Sequence, residues 1–121
     1  MSELLFDVNL QQLPDEYLTG EWTVADRVLN HTDPSTALAQ ATLFRLQPGL
    51  MEIQTPELQD QGSWTVERDA LLNRPYLELQ LAAEKTRALV TRLRRSVDGQ
   101  RSQLNLYFQS GMELLLSQPS Y

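Results

Sequence analysis

Residues 88–116 read ALVTRLRRSVDGQRSQLNLYFQSGMELLL, and two turns within them decide the fold. Asp98-Gly99 suits a two-residue hairpin loop, because both central positions can adopt positive φ. That loop sets Val97 opposite Gln100. Counting back from Val97 puts Arg95, Leu93, Thr91 and Leu89 on one face. Counting on from Gln100 puts Ser102, Leu104, Leu106 and Phe108 on the same face. The apolar residues of the two strands coincide, as a register with one buried face demands. At the second turn, a two-residue Ser110-Gly111 loop would send Met112 to the polar face. A three-residue loop, Gln109-Ser110-Gly111, instead pairs Phe108 with Met112 and puts glycine where left-handed backbone is needed. Met112, Leu114 and Leu116 then join the buried face.

The same alternation runs upstream. Pro48-Gly49 pre-sets a turn in which Leu46 faces Met51, so that Phe44, Leu46, Met51 and Ile53 share a side. Leu77, Leu79 and Leu81 alternate inward in PYLELQLAA, as do Trp64 and Val66, and Trp22, Val24 and Val28. Eight strands are predicted, over residues 20–29, 37–46, 50–55, 62–68, 75–83, 87–97, 100–108 and 112–118. The connections are short enough for antiparallel neighbours. Such a chain closes into a meander barrel or stacks as a small sandwich. The barrel is favoured, because no long crossover is present and closure removes exposed edges. The expectation is an all-β, eight-stranded antiparallel up-and-down barrel at residues 18–121. Residues 1–17 form an N-terminal segment packing on it, with a short helix around Pro14–Tyr17.

A chain of 121 residues with 41% hydrophobic and 21% charged residues suits one globular domain. Cysteine is absent, which removes disulfides, thiolate chemistry and zinc fingers. A net charge of −6 argues against nucleic acid as a partner. No apolar run approaches the ~20 residues of a membrane-spanning helix, so no membrane insertion is expected. MSELLFDVNLQQ lacks the basic start and apolar stretch of a secretory signal, so a cytoplasmic location is expected.

The segment Leu18-Thr-Gly-Glu-Trp-Thr-Val24 puts a glycine just before an inward tryptophan in the first strand of an eight-stranded meander. It resembles the lipocalins and the wider calycin superfamily. Gly62-Ser-Trp-Thr-Val-Glu-Arg-Asp69 is similar to the middle strand of small bacterial lipocalin-like domains. The resemblance spans residues 18–118. It implies a non-catalytic barrel that binds a hydrophobic or amphipathic small molecule in its interior. The alternative is a filled barrel acting through its outer surface as an interaction or inhibitor module.

Residues of inward parity are the cavity candidates: Trp22, Thr42, Phe44, Ile53, Trp64, Leu79, Thr91, Leu93, Arg95 and Leu106. Thr42 and Thr91 lie mid-strand, where a wholly structural core would be apolar. Both tryptophans also have a structural reading, closing a barrel end with the indole N–H on a carbonyl. His31, the one histidine, sits in a polar turn with Asp33 nearby and lacks a set of catalytic partners. No catalytic residue, metal site or cofactor is expected.

Charge divides unevenly: residues 1–84 hold four Arg against fourteen acidic residues, while residues 85–121 are net basic. The run TRLRRS could meet an anionic partner or pair across strands, with Glu78 opposite Arg92 and Tyr76 opposite Arg94. Ala25, Ala39, Ala41, Leu43 and Leu115 are expected to form an outward apolar patch. This patch would either join two copies as a homodimer or, in a monomer, be covered by Leu4, Phe6 and Leu10.

Overall fold

Hairpin follows hairpin around a closed ring. A computed structural model describes residues 4–82 and 84–118. Among the described residues the strands are β1 (Leu5–Asp7), β2 (Gly20–Val28), β3 (Leu43–Gln47), β4 (Leu50–Gln54), β5 (Gln59–Arg68), β6 (Pro75–Leu81), β7 (Lys85–Ser96), β8 (Ser102–Phe108) and β9 (Glu113–Gln118). From β2 to β9 each strand pairs antiparallel with the next, and β9 returns to β2. The result is a closed eight-stranded up-and-down barrel, as the alternation predicts. β1 is a ninth strand outside the ring, with Leu5 opposite Ser96 on β7.

The predicted turns largely hold. Phe108 N–H donates to the Met112 carbonyl at 2.8 Å, and Gly111 has φ +102°, which is the three-residue loop. Leu46 pairs with Met51, and Gly49 has φ +75°. At Asp98-Gly99 the register is as read, with Leu93 opposite Leu104 and Arg95 opposite Ser102. The strands stop earlier than expected, however. Ser96 N–H donates to Arg101 O, and the Ser96 hydroxyl donates to Asp98 Oδ1, so Val97 is 87% exposed in the turn.

Two β-bulges correct the inward set. In β7 the ladder shifts between Val90 and Arg92, so Ala88 and Val90 face the core while Thr91 is exposed. In β2 it shifts between Val24 and Asp26. Asp26 and Val28 are therefore exposed, and Arg27 is tucked in with its guanidinium donating to Ala41 O. One extra residue reverses a strand's parity, because side chains alternate with period two.

Residues 37–46 are not one strand. Ala37–Gln40 form a single helical turn, α1, capped by the Thr36 side chain accepting from Ala39 N–H at 3.3 Å. Leu38 N–H donates to Glu84 Oε1 at 3.0 Å. Leu38, Ala39 and Ala41 are consequently buried at the barrel end where β3 begins. Thr42, expected inside, is exposed at the strand's start. The outward patch is also corrected: Ala39 and Ala41 are core, Ala25 is exposed at its bulge, and Leu43 and Leu115 are half-buried.

The N-terminal segment closes the opposite end. It runs from β1 through 3-10 turns at Leu10–Gln12 and Asp15–Leu18, the second matching the expected helix near Pro14–Tyr17. Val8 N–H donates to Leu93 O at 2.8 Å. The Arg68 guanidinium donates to Leu10 O at 2.9 Å and Leu13 O at 3.2 Å. Leu13 and Leu18 are buried, whereas Leu4 and Phe6 are exposed and cover no patch.

Apolar residues face inward from every barrel strand. Trp22, Met51, Leu93, Leu104 and Leu116 are 0% exposed, and no residue of the apolar core exceeds 5%. A void wide enough for water leaves exposed area on the atoms around it. Outward positions such as Glu21, Arg45, Glu52, Glu78 and Arg87 are polar or charged. This is the reverse polarity of a barrel that faces lipid. No helix among the described residues is long and apolar enough to cross a membrane.

Candidate functional site

The cavity candidates separate into two groups. Trp22, Phe44, Ile53, Trp64, Leu79, Leu93 and Leu106 meet in one buried cluster inside the barrel. Thr42 and Thr91 lie outside it, for the reasons given above. Arg95 sits at a rim, its guanidinium 3.8 Å from the centroid of the Tyr17 ring and donating to Gly99 O at 3.2 Å. Both indoles donate to backbone carbonyls. The Trp22 indole N–H donates to Leu18 O at 2.9 Å, and that of Trp64 to Gln47 O at 2.6 Å and Leu50 O at 3.1 Å.

The basic run on β7 is largely engaged, although with different partners from those expected. The chain reverses earlier than foreseen, with Gln80 opposite Lys85, which places Glu78 opposite Arg87. Arg87 meets Glu78 at 3.0 Å and stacks 5.5 Å from the Tyr76 centroid. Arg92 meets Asp7 of β1 at 2.7 Å. The hydrogen bond from Arg92 is the main cause holding the Asp7 carboxyl below its ordinary value. Arg94 donates to Gln103.

His31 is exposed, and Asp33 serves its own turn: its Oδ1 accepts from Ser35 N–H at 2.9 Å and the Ser35 hydroxyl at 2.7 Å. Those bonds, the backbone one first, lower the Asp33 pKa. Among the described residues, no group of three or more His, Cys, Asp or Glu is arranged to hold a metal ion.

Among the hollows lined by described residues is a groove of about 600 Å³ on the outside, at the end closed by the N-terminal segment. It is lined by Asp15, Glu16 and Thr19, by the β3–β4 turn at Pro48-Gly49, and by Trp64–Glu67 of β5. Its origin is a mismatch of strand lengths. β4 has five residues and β5 has ten. The β4–β5 ladder ends at Leu50 opposite Ser63, while β5 stays paired with β6 as far as Arg68 opposite Pro75. Beyond Ser63, β5 therefore has a neighbour on one side only.

Local chemistry fixes the two walls. Gly62 allows β5 to cross β6 closely, since a Cβ there would sit 1.9 Å from Gln80 O. The Trp64 indole pins β5 to the β3–β4 turn at the point where the ladder stops. Across the gap, Leu18 is fully buried and anchors the 3-10 turn that presents Asp15 and Glu16. Asp15, Glu16, Thr65 and Glu67 are exposed, and no Lys or Arg lines the groove.

Of this site only Trp64 stood among the sequence candidates. The available signal was the alternation of Trp64, Val66 and Arg68, which outlasts the strand opposite. No family model, curated protein or solved structure matches the chain.

Proposed function

We propose that this protein is a non-catalytic recognition module that works from its outer surface, at the groove beside β5, and not by enclosing a ligand. One observation carries the reading: the apolar core residues are at most 5% exposed, whereas a groove of about 600 Å³ stands open outside. A groove of that size with an apolar floor and a few polar groups suits a binding site. The strand count, the meander and the inward Trp22 of the first ring strand support placing the barrel with the calycins. The groove is complete within one chain, so a monomer suffices. We place the protein in the cytoplasm, where a cysteine-free chain loses nothing to reducing conditions.

The test is a titration with interior-seeking probes: a fluorescent fatty acid, a retinoid and haem. The expected result is no saturable binding at micromolar concentration, together with a native mass spectrum of the bare chain. Saturable micromolar binding, with the probe retained in the native mass spectrum, would overturn the reading.

A further inference from the structure

We infer that the groove takes an extended, cationic segment of another protein, added as a strand on the open edge of β5. The inference rests on the outer-surface reading above and names its partner. From Trp64 to Arg68 the edge is held in strand geometry by pairing with β6 alone. Alternate residues along such an edge turn their backbone N–H and C=O toward the unpaired side. Among the described residues, no backbone hydrogen bond from the N-terminal segment reaches Trp64–Glu67. A rigid, preformed edge lets a segment bind by main-chain hydrogen bonds, with little ordering cost on this side.

Proteins usually blunt such edges with proline, bulges, lysine or a covering strand. β5 has no proline or lysine, and the two bulges lie in β2 and β7. The open part of the edge is instead flanked by carboxylates from both walls, Glu67 on β5 and Asp15 and Glu16 opposite. These repel a second copy, whose same edge would bring the same charges. They also repel nucleic acid and anionic lipid. A basic segment is complementary, and this complementarity selects the occupant.

The register supplies the pattern. Trp64 and Val66 turn inward while Thr65 and Glu67 are exposed. An added strand therefore turns alternate side chains toward the apolar floor and the others toward Glu67. The preferred segment alternates apolar with Lys or Arg.

The probe is a short synthetic peptide alternating Val and Lys with blocked ends, titrated into the full chain and followed by amide NMR and calorimetry. We expect saturable binding, with new exchange protection confined to alternate amides between Trp64 and Arg68. Glu16→Lys with Glu67→Lys weakens it roughly tenfold at low salt, the loss of two rim charge pairs. Both side chains are exposed, so the fold is retained, as a thermal melt will show. Two isomeric peptides provide a test independent of any variant. N-methylation along one edge abolishes binding, and along the other edge leaves it intact. Failure to saturate, equal binding by the two isomers, or indifference to charge reversal overturns the inference. The fatty-acid titration on the same sample separates the two levels: uptake into the interior sinks the outer-surface reading itself, whereas a peptide failure alone leaves that reading standing.

Discussion

Trp64→Ala tests the joint between core and groove. The side chain is 4% exposed, packs in the central cluster, and hangs its indole N–H between two carbonyls of the β3–β4 turn. Removing a buried tryptophan costs about 3–5 kcal/mol through lost transfer energy and the cavity left behind. The two carbonyls lie beside an open groove and can turn to water, so their loss adds little. In a chain of this size the melting temperature falls by roughly 10–20 °C. Trp22, buried in the same cluster, remains as the fluorescence reporter for urea unfolding, with circular dichroism as a second probe. Trp64→Phe keeps a six-membered ring but deletes the donor and the five-membered part of the indole, so it should cost less than Trp64→Ala and more than the about 0.5–1.5 kcal/mol of a hydrogen bond alone. The difference between the two variants isolates the packing of the ring that is kept. If Trp64→Ala costs less than about 1 kcal/mol at unchanged m-value, the ring is not the anchor described and the groove wall has no fixed position.

Other expectations follow from the same geometry. Gly62→Ala forces β5 away from Gln80 O and should cost roughly 1–3 kcal/mol; an unchanged melt would show that the strands do not cross closely there. Ala41→Leu overpacks a fully buried site and should destabilise by a similar ~1–3 kcal/mol, whereas an outward Ala41 would tolerate leucine without loss. Acid should loosen the turns before the ring opens. Asp33, Asp69 and Asp98 have lowered pKa values, caused first by Ser35 N–H, Leu72 N–H and the Ser96 hydroxyl respectively. A depressed folded pKa gives stability that is complete above about pH 4 and lost as pH falls through the folded value. Hydrogen exchange at Ser35, Leu72 and Gln100 should therefore accelerate, relative to the barrel amides, below about pH 4; uniform protection down to pH 2 would refute this.

The ring and most of its register were legible because hairpin turns and period-two alternation are local signals. Phe108 opposite Met112 and Leu46 opposite Met51 follow from nearby residues alone. The misplacements share a cause that local reading does not contain. A bulge changes parity with no marker in the sequence, so Thr91 and Val28 are expected inward although both are exposed. Ala39, Ala41 and Leu43 alternate as a strand would, yet Thr36 offers a cap and Leu38 finds a buried seat, and tertiary packing selects the helix. Glu78 is expected opposite Arg92 because no glycine or proline marks where the chain reverses after β6. The groove was the least legible feature. It arises from the offset between β4 and β5, a property of pairing across a loop that carries no register of its own.

The attachment of β1 to the far end of β7 has a consequence for how the molecule assembles. Leu5 leaves the ribosome ahead of its partner Ser96 by most of the chain, and Arg68 must emerge before Leu10 and Leu13 have a donor for their carbonyls. Contacts of such long sequence separation form late and slow the approach to the native state. While the hairpins from β3 to β6 can zip in order of synthesis, β1 has no strand to pair with until β7 exists. A nascent chain arrested after β6 would therefore hold the N-terminal strap through Arg68 and Trp22 while β1 stays unpaired. β1 precedes every strand of the ring and waits for β7 to fix its place.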